Sequence, residues 1–267
     1  KPHEGGSAWF IGDLDPVPLP PSARTGSGYR LSIMDGGDAV SYDDVLPALK
    51  DPAERLKAQE ADSVDAEVLC PTPTLWDAIK LLDDAELQLA CVQAYNDWIA
   101  EFCAHAPDRL IGLGKVPTTS VADAVAEVQR CAKLKLRGLV LDCFPSGAKV
   151  GGNPDDEPFW EAVDEVGLPV SLHIAVGPTA NTMPESGPLP GMRPQMADAV
   201  LPMVASGVFD RYPNVNVVLA HGDAGHDRDD AGHHGHAGGR PVLGGGALGH
   251  VDVDVLPLEQ RGRDAEV

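Results

Sequence analysis

Between residues 66 and 221, short apolar runs alternate with longer helical stretches, and this alternation narrows the possible folds more than any other feature of the chain. The runs cover 66–70, 110–116, 136–143, 168–174 and 215–221. Most are rich in Val and Leu and bounded by Gly or Pro, which is the pattern of a strand covered on both faces. Helical stretches fill the intervals. Asp51 is placed to cap a helix with Pro52 at its first position, running to about residue 63. A long helical stretch is expected over 75–106, with Val92, Tyr95, Ile99 and Phe102 on one stripe and Pro107 ending it. Ser120 is placed to cap a helix over 121–134, and further helices are expected over 157–166 and 196–209. Such repetition predicts βαβ units and a parallel sheet.

No G-x-G-x-x-G turn follows a strand in the first half; Gly26-Ser-Gly28 is only a loop signal. A (β/α)-barrel is therefore favoured over a dinucleotide-binding fold. The expected fold class is α/β, a TIM (β/α)8-type barrel that is incomplete, since five strands are visible where a closed barrel needs eight. Three segments follow: a loop-rich 1–50 with a short strand at Trp9-Phe-Ile11, a barrel core over 51–221, and a Gly/His/Asp-rich tail over 222–267. The first residue is Lys1, and the chain is expected to lack its true N-terminus.

Two histidines stand at the ends of two of these strands: His173 in Leu168-Pro-Val-Ser-Leu-His173 and His221 in Val217-Val-Leu-Ala-His221. The carboxyl ends of parallel strands are where such folds bind ligands and metals. A histidine there can hold a metal or move a proton. Lys115 and Asp142, at the ends of the two preceding strands, face the same barrel mouth and read as structural; Trp76 and Trp98 read as core or helix-face residues.

The formal net charge of −21 argues against nucleic acid and anionic membrane surfaces as partners. No run is apolar enough to span a bilayer and no basic-then-apolar leader opens the chain. The five cysteines, Cys70, Cys91, Cys103, Cys131 and Cys143, form no C-x-x-C pair and read as free thiols in a reducing, cytoplasmic compartment.

A set of phrases in order along the chain resembles the amidohydrolase-related family, which includes metal-dependent decarboxylases. They are Asp51-Pro-Ala-Glu-Arg-Leu56, Val64-Asp-Ala-Glu-Val-Leu69, Tyr95-Asn-Asp-Trp98, Pro107-Asp-Arg-Leu110, Arg137-Gly-Leu-Val140, Leu168-Pro-Val-Ser-Leu-His173, and Gly207-Val-Phe-Asp-Arg-Tyr-Pro213 leading into His221-Gly222. The resemblance implies a TIM barrel with a divalent metal at its mouth, zinc first and manganese second. It implies that His173 is the fifth-strand metal ligand and that His221 is the sixth-strand histidine that transfers a proton. It also implies a small carboxylated or cyclic substrate, hydrolysed or decarboxylated without oxidation, and a possible homo-oligomer. Zinc-bound water and a histidine with a pKa near working pH suit either reaction.

The family's first-strand D-x-H or H-x-H pair has no counterpart before residue 50, where His3 lacks the context, and Asp252 and Asp254 lack the surroundings of its late Asp. A catalytically inactive truncated or frameshifted barrel fragment is therefore the alternative. A second alternative is a metal-binding protein that uses the tail cluster His226, His233, His234 and His236.

Overall fold

The computed structural model describes residues 1–19, 23, 40–71, 73–148, 151–173 and 195–220. At the N-terminus, β1 (Pro2–His3), β2 (Gly6–Trp9) and β3 (Val17–Pro18) pair antiparallel. The strand expected at Trp9-Phe-Ile11 thus ends at Trp9 instead of starting there. This small sheet is separate from the main one.

The main sheet holds β4 (Glu67–Leu69), β5 (Leu110–Lys115), β6 (Gly138–Leu141), β7 (Val170–His173) and β8 (Val217–Ala220). All neighbours pair parallel, and the strand order in the sheet is the order in the chain. Such a progression, with a helix between successive strands, is the way a (β/α)-barrel is laid down. The five strands form a half-barrel.

The helices begin and end where local chemistry allows. In α1 (Pro52–Asp62) the Asp51 carboxylate accepts from the Ala53 and Glu54 amides at 2.7 and 3.2 Å, and Pro52 needs no partner for an N–H it lacks. The stretch expected as one helix over 75–106 is two, α2 (Pro73–Ile79) and α3 (Ala85–Cys103). Asp84 caps α3 by accepting from the Leu87 amide at 3.0 Å, so a short polar side chain competes with helix continuation and wins. Ser120 caps α4 (Val121–Lys133), and Gly167, at φ 66°, ends α5 (Glu157–Val166). The helix expected over 196–209 is also two, α6 (Gln195–Ala205) and α7 (Val208–Arg211), because Gly207 adopts a left-handed φ of 73° between them.

The core lies between the sheet and the helices. Leu139, Leu141, Val170 and Leu172 pack there with Cys131, Val128, Phe159 and Trp160. The glycines of β5 fix which face this is. A Cβ added at Gly112 would lie 2.8 Å from Ile99 Cγ1, and one at Gly114 2.6 Å from Cys131 Sγ. Both therefore face the helices, which approach closely because no side chain intervenes. Side chains alternate along a strand, so Leu113 and Lys115 face the opposite side, the barrel interior. A Cβ at Gly138 would meet Leu113 Cδ2 at 2.8 Å, which puts residues 138 and 140 on that inner face too. In register, Lys115 stands beside Val140, Val140 beside Ser171, and Ser171 beside Val218.

Candidate active site

The inner face ends in a charged cluster. Lys115 is the last residue of β5 and is 4% exposed. Its ammonium is ion-paired with Asp142, the first residue past β6. Asp142 accepts a second ammonium, that of Lys80 one residue beyond α2, at 2.8 Å. Lys80 is also 3.2 Å from Asp77, within α2. The second Asp77 carboxylate oxygen, Oδ2, is buried with no hydrogen-bond partner among the described residues. The Trp76 ring lies 5.9 Å from the Lys115 ammonium and stacks edge-on with Tyr95.

The three charges shift one another. Burial pushes the Asp142 carboxyl up, but the Lys115 and Lys80 charges outweigh it and hold Asp142 well below the ordinary carboxylate range. Burial pulls Lys80 down, and Asp142 and then Asp77 more than restore it, leaving it raised. For Lys115 burial wins over Asp142 and the pKa is lowered. The pair thus holds a carboxylate that stays ionised beside a lysine that gives up its proton more readily than a solvated one.

A buried polar chain pins this end of β5. Asn96, wholly buried in α3, accepts from the Lys115 amide at 2.7 Å and donates to the Lys115 carbonyl at 3.0 Å. Its amide also donates to Glu127 of α4 at 2.6 Å, and Glu127 is ion-paired with Arg130 at 2.9 Å. Two helices are thereby tied to the strand end through satisfied polar groups.

The sequence-predicted site residues fare differently. His173 is the last residue of β7 and is in register with Ala220 of β8. The strand period places position 173 on the face that carries Ser171, at the same end of the sheet as Lys115 and Asp142. His221 lies outside the described residues, as do the tail histidines, Asp252, Asp254 and the loop over 177–194. Lys115 and Asp142, read from the sequence as structural, are brought into direct contact. Trp76 is buried and Trp98 lies half-exposed on a helix face.

Three partners escaped the sequence reading. Asn96 and Glu127 carried a usable signal, because each is a polar residue on an otherwise apolar stripe: Asn96 lies between Val92 and Ile99, and Glu127 between Ala124 and Cys131. Lys80 carried none. Among the described residues no three His, Cys, Asp or Glu side chains converge as a metal site. Asp142, the carboxylate best placed for one, is already shared by two ammonium groups. The described residues do not by themselves fit a metal.

The sequence profile of the amidohydrolase family matches residues 46–246. The chain is similar to a 2-amino-3-carboxymuconate-6-semialdehyde decarboxylase of Dictyostelium discoideum, 34% identical over 180 residues that make up 64% of this chain and 48% of that one. The structure is similar to that of a 2,6-dihydroxybenzoate decarboxylase complexed with 2,6-dihydroxybenzoate, with a TM-score of 0.52, 26% identity, and 62% and 54% of the two chains covered. It shares its fold with a manganese-bound 5-carboxyvanillate decarboxylase of Novosphingobium aromaticivorans, at a TM-score of 0.53 and 24% identity, covering 62% and 48%. The chain spans about half the length of the curated relatives it matches. With three quarters of its length under one family profile and a half-barrel of parallel strands to match, the chain belongs to the amidohydrolase family.

Proposed function

We propose that this chain acts in the metal-dependent, non-oxidative decarboxylation of a small carboxylated substrate. The observation that carries the reading is the inner face of the sheet, where Lys115, Asp142 and position 173 end three neighbouring strands at one rim. That rim is where barrels of this kind place their chemistry. The relatives are named as decarboxylases, which favours decarboxylation over the hydrolysis that the family name suggests.

In this reading His173 contributes to holding a divalent cation and His221 transfers the proton that replaces the lost carboxyl group. The cation would supply Lewis-acid polarisation of the substrate. Manganese is the first ion to test, since it occupies the Novosphingobium relative. The described residues support the substrate side of the reading more directly. A buried ammonium at the rim suits an anion, and the −21 net charge makes a local cation the more necessary to draw one in.

The test is release of carbon dioxide from 2,6-dihydroxybenzoate by the full 267-residue chain with manganese or zinc added. Turnover that is abolished by a chelator and by His173→Gln is expected. Absence of release with either ion, from a chain that melts cooperatively, would overturn the proposal.

A further inference from the structure

We infer that Lys115 is the specificity-determining residue that receives the anionic group of the substrate, with Asp142 as its resident counter-ion and Trp76 as the wall beside it. This deepens the decarboxylase reading and rests on it for the class of ligand, a small carboxylate.

The argument begins with the donors of the ammonium. A lysine ammonium carries three N–H groups. Among the described residues the Lys115 Nζ has one hydrogen-bond acceptor, Asp142. The face of Trp76 lies 5.9 Å from the same ammonium. The side chain is 5% exposed, so water does not readily serve the remaining donors. Buried donors left without acceptors are costly, and an anion that supplies two oxygens removes that cost.

The surroundings leave a place for such a group. Lys115 and Lys80 both line a small cleft, whose other walls include Trp76, Ile79, Val92 and Thr119. It has room for little more than one water molecule, so the anionic group would reach Lys115 from the barrel mouth that Lys115 faces. Lys80 adds a second positive charge across the cleft.

Asp142 does not block this arrangement. It is held at once by Lys115 and by Lys80, so a carboxylate arriving at Lys115 lets Asp142 lean on Lys80, already 2.8 Å away. Asp142 and Asp77 balance the two ammonium groups, and the incoming carboxylate completes the coordination of Lys115. Asn96 holds the Lys115 backbone from both its N–H and its C=O, so the ammonium is presented from a fixed point.

The experiment compares benzoate with its neutral counterpart benzamide, binding to the full chain by calorimetry and by tryptophan fluorescence. The wild type is expected to prefer benzoate, and Lys115→Met to lose that preference by about tenfold or more. Asp142→Asn removes the competing acceptor and is expected to keep or strengthen the preference. An equal preference in wild type and Lys115→Met would overturn the inference. So would its loss in Asp142→Asn to the same degree as in Lys115→Met, because a merely structural ion pair behaves that way. Should Lys115→Met not fold, the double variant Lys115→Met/Asp142→Asn replaces the pair without a stranded charge, and benzoate preference in it overturns the inference equally. A readout on the unaltered site is independent of both: benzoate seated on Lys115 changes Trp76 fluorescence, a change that Trp76→Phe abolishes without abolishing binding. Benzoate binding with no Trp76 response would place the anion elsewhere. The outcomes separate from the activity test. Benzoate preference without carbon dioxide release sinks the decarboxylase reading alone, and release without that preference sinks this one alone.

Discussion

Lys115 and Asp142 form an ion pair at the rim of the half-barrel although they stand 27 positions apart in the chain. The pair exists because β5 and β6 are adjacent and parallel, so that residues at their carboxyl ends meet. Lys80 joins from just past the end of α2, and the carboxylate thereby ties that helix end to the two strands. Several measurable consequences follow from this cluster and from the packing behind it.

Asp142→Ala would strand the Lys115 ammonium, only 5% exposed, and leave Lys80 with Asp77 as its remaining partner. Removing one partner of a buried pair costs about 3–5 kcal/mol, and the 18% exposure of Asp142 points to the lower end. Urea unfolding monitored by circular dichroism is the check, and a loss below about 1 kcal/mol would mean that solvent reaches the cluster freely.

The same pair gives a pH dependence of known sign. The folded-state pKa of Asp142 is below its ordinary value of 3.8, so its contribution is complete above that value. It is lost as pH falls through the folded pKa. The stability gap between wild type and Asp142→Ala should be level around neutrality and close only in strong acid. A gap that narrows already between about pH 7 and 5 would contradict the lowered pKa.

Asn96→Ala removes three hydrogen bonds and leaves Glu127 with Arg130 and the Cys131 thiol. Leaving the Lys115 amide and carbonyl unpaired in a buried site predicts a loss of about 2–4 kcal/mol, and Asn96→Asp should not rescue it, because a carboxylate beside Glu127 adds repulsion. Thermal melts of both variants test this.

Gly114→Ala should be destabilising by about 1–3 kcal/mol, since the added Cβ would sit 2.6 Å from Cys131 Sγ and 3.1 Å from Leu136 Cδ1. Pairing it with Cys131→Ala opens the space. Recovery of stability in the double variant, measured as a double-mutant cycle, is the expected result.

Burial pushes the Cys103 thiol up to about 11 and the Cys131 thiol up to about 12. Thiolate is the reactive form, so neither should be alkylated at neutral pH until denaturant is added. Peptide mapping after pulse alkylation checks this, and rapid native labelling of Cys131 would show that α4 opens from the sheet.

The strands and helices were largely legible in the sequence, because the information that specifies them is local. Apolar runs of strand length, Asp51 before Pro52, Ser120 before Val121 and Gly167 after Val166 each act within a few residues. The two stretches that divide into separate helices do so for local causes of the same kind, Asp84 and Gly207. The strand-end position of His173 was legible for the same reason. Lys115 and Asp142 were visible as strand-end residues, but their contact was not.

What the sequence by itself determined is therefore the order of strands and helices, the parallel half-barrel they build, and the family to which the chain belongs. What only the tertiary structure decided is which side chains share the rim. The alternation of β5 turns Gly112 and Gly114 to the helices and Lys115 to the interior, and that assignment follows from which atoms stand within reach of each glycine. Lys80 reaches Asp142, and Asn96 reaches Glu127 31 residues away, only once the helices have docked on the sheet. The physical reason is burial. A charge or an amide withdrawn from water must find its partner among whatever packing brings near, and packing is set by the whole fold, not by neighbours in the chain.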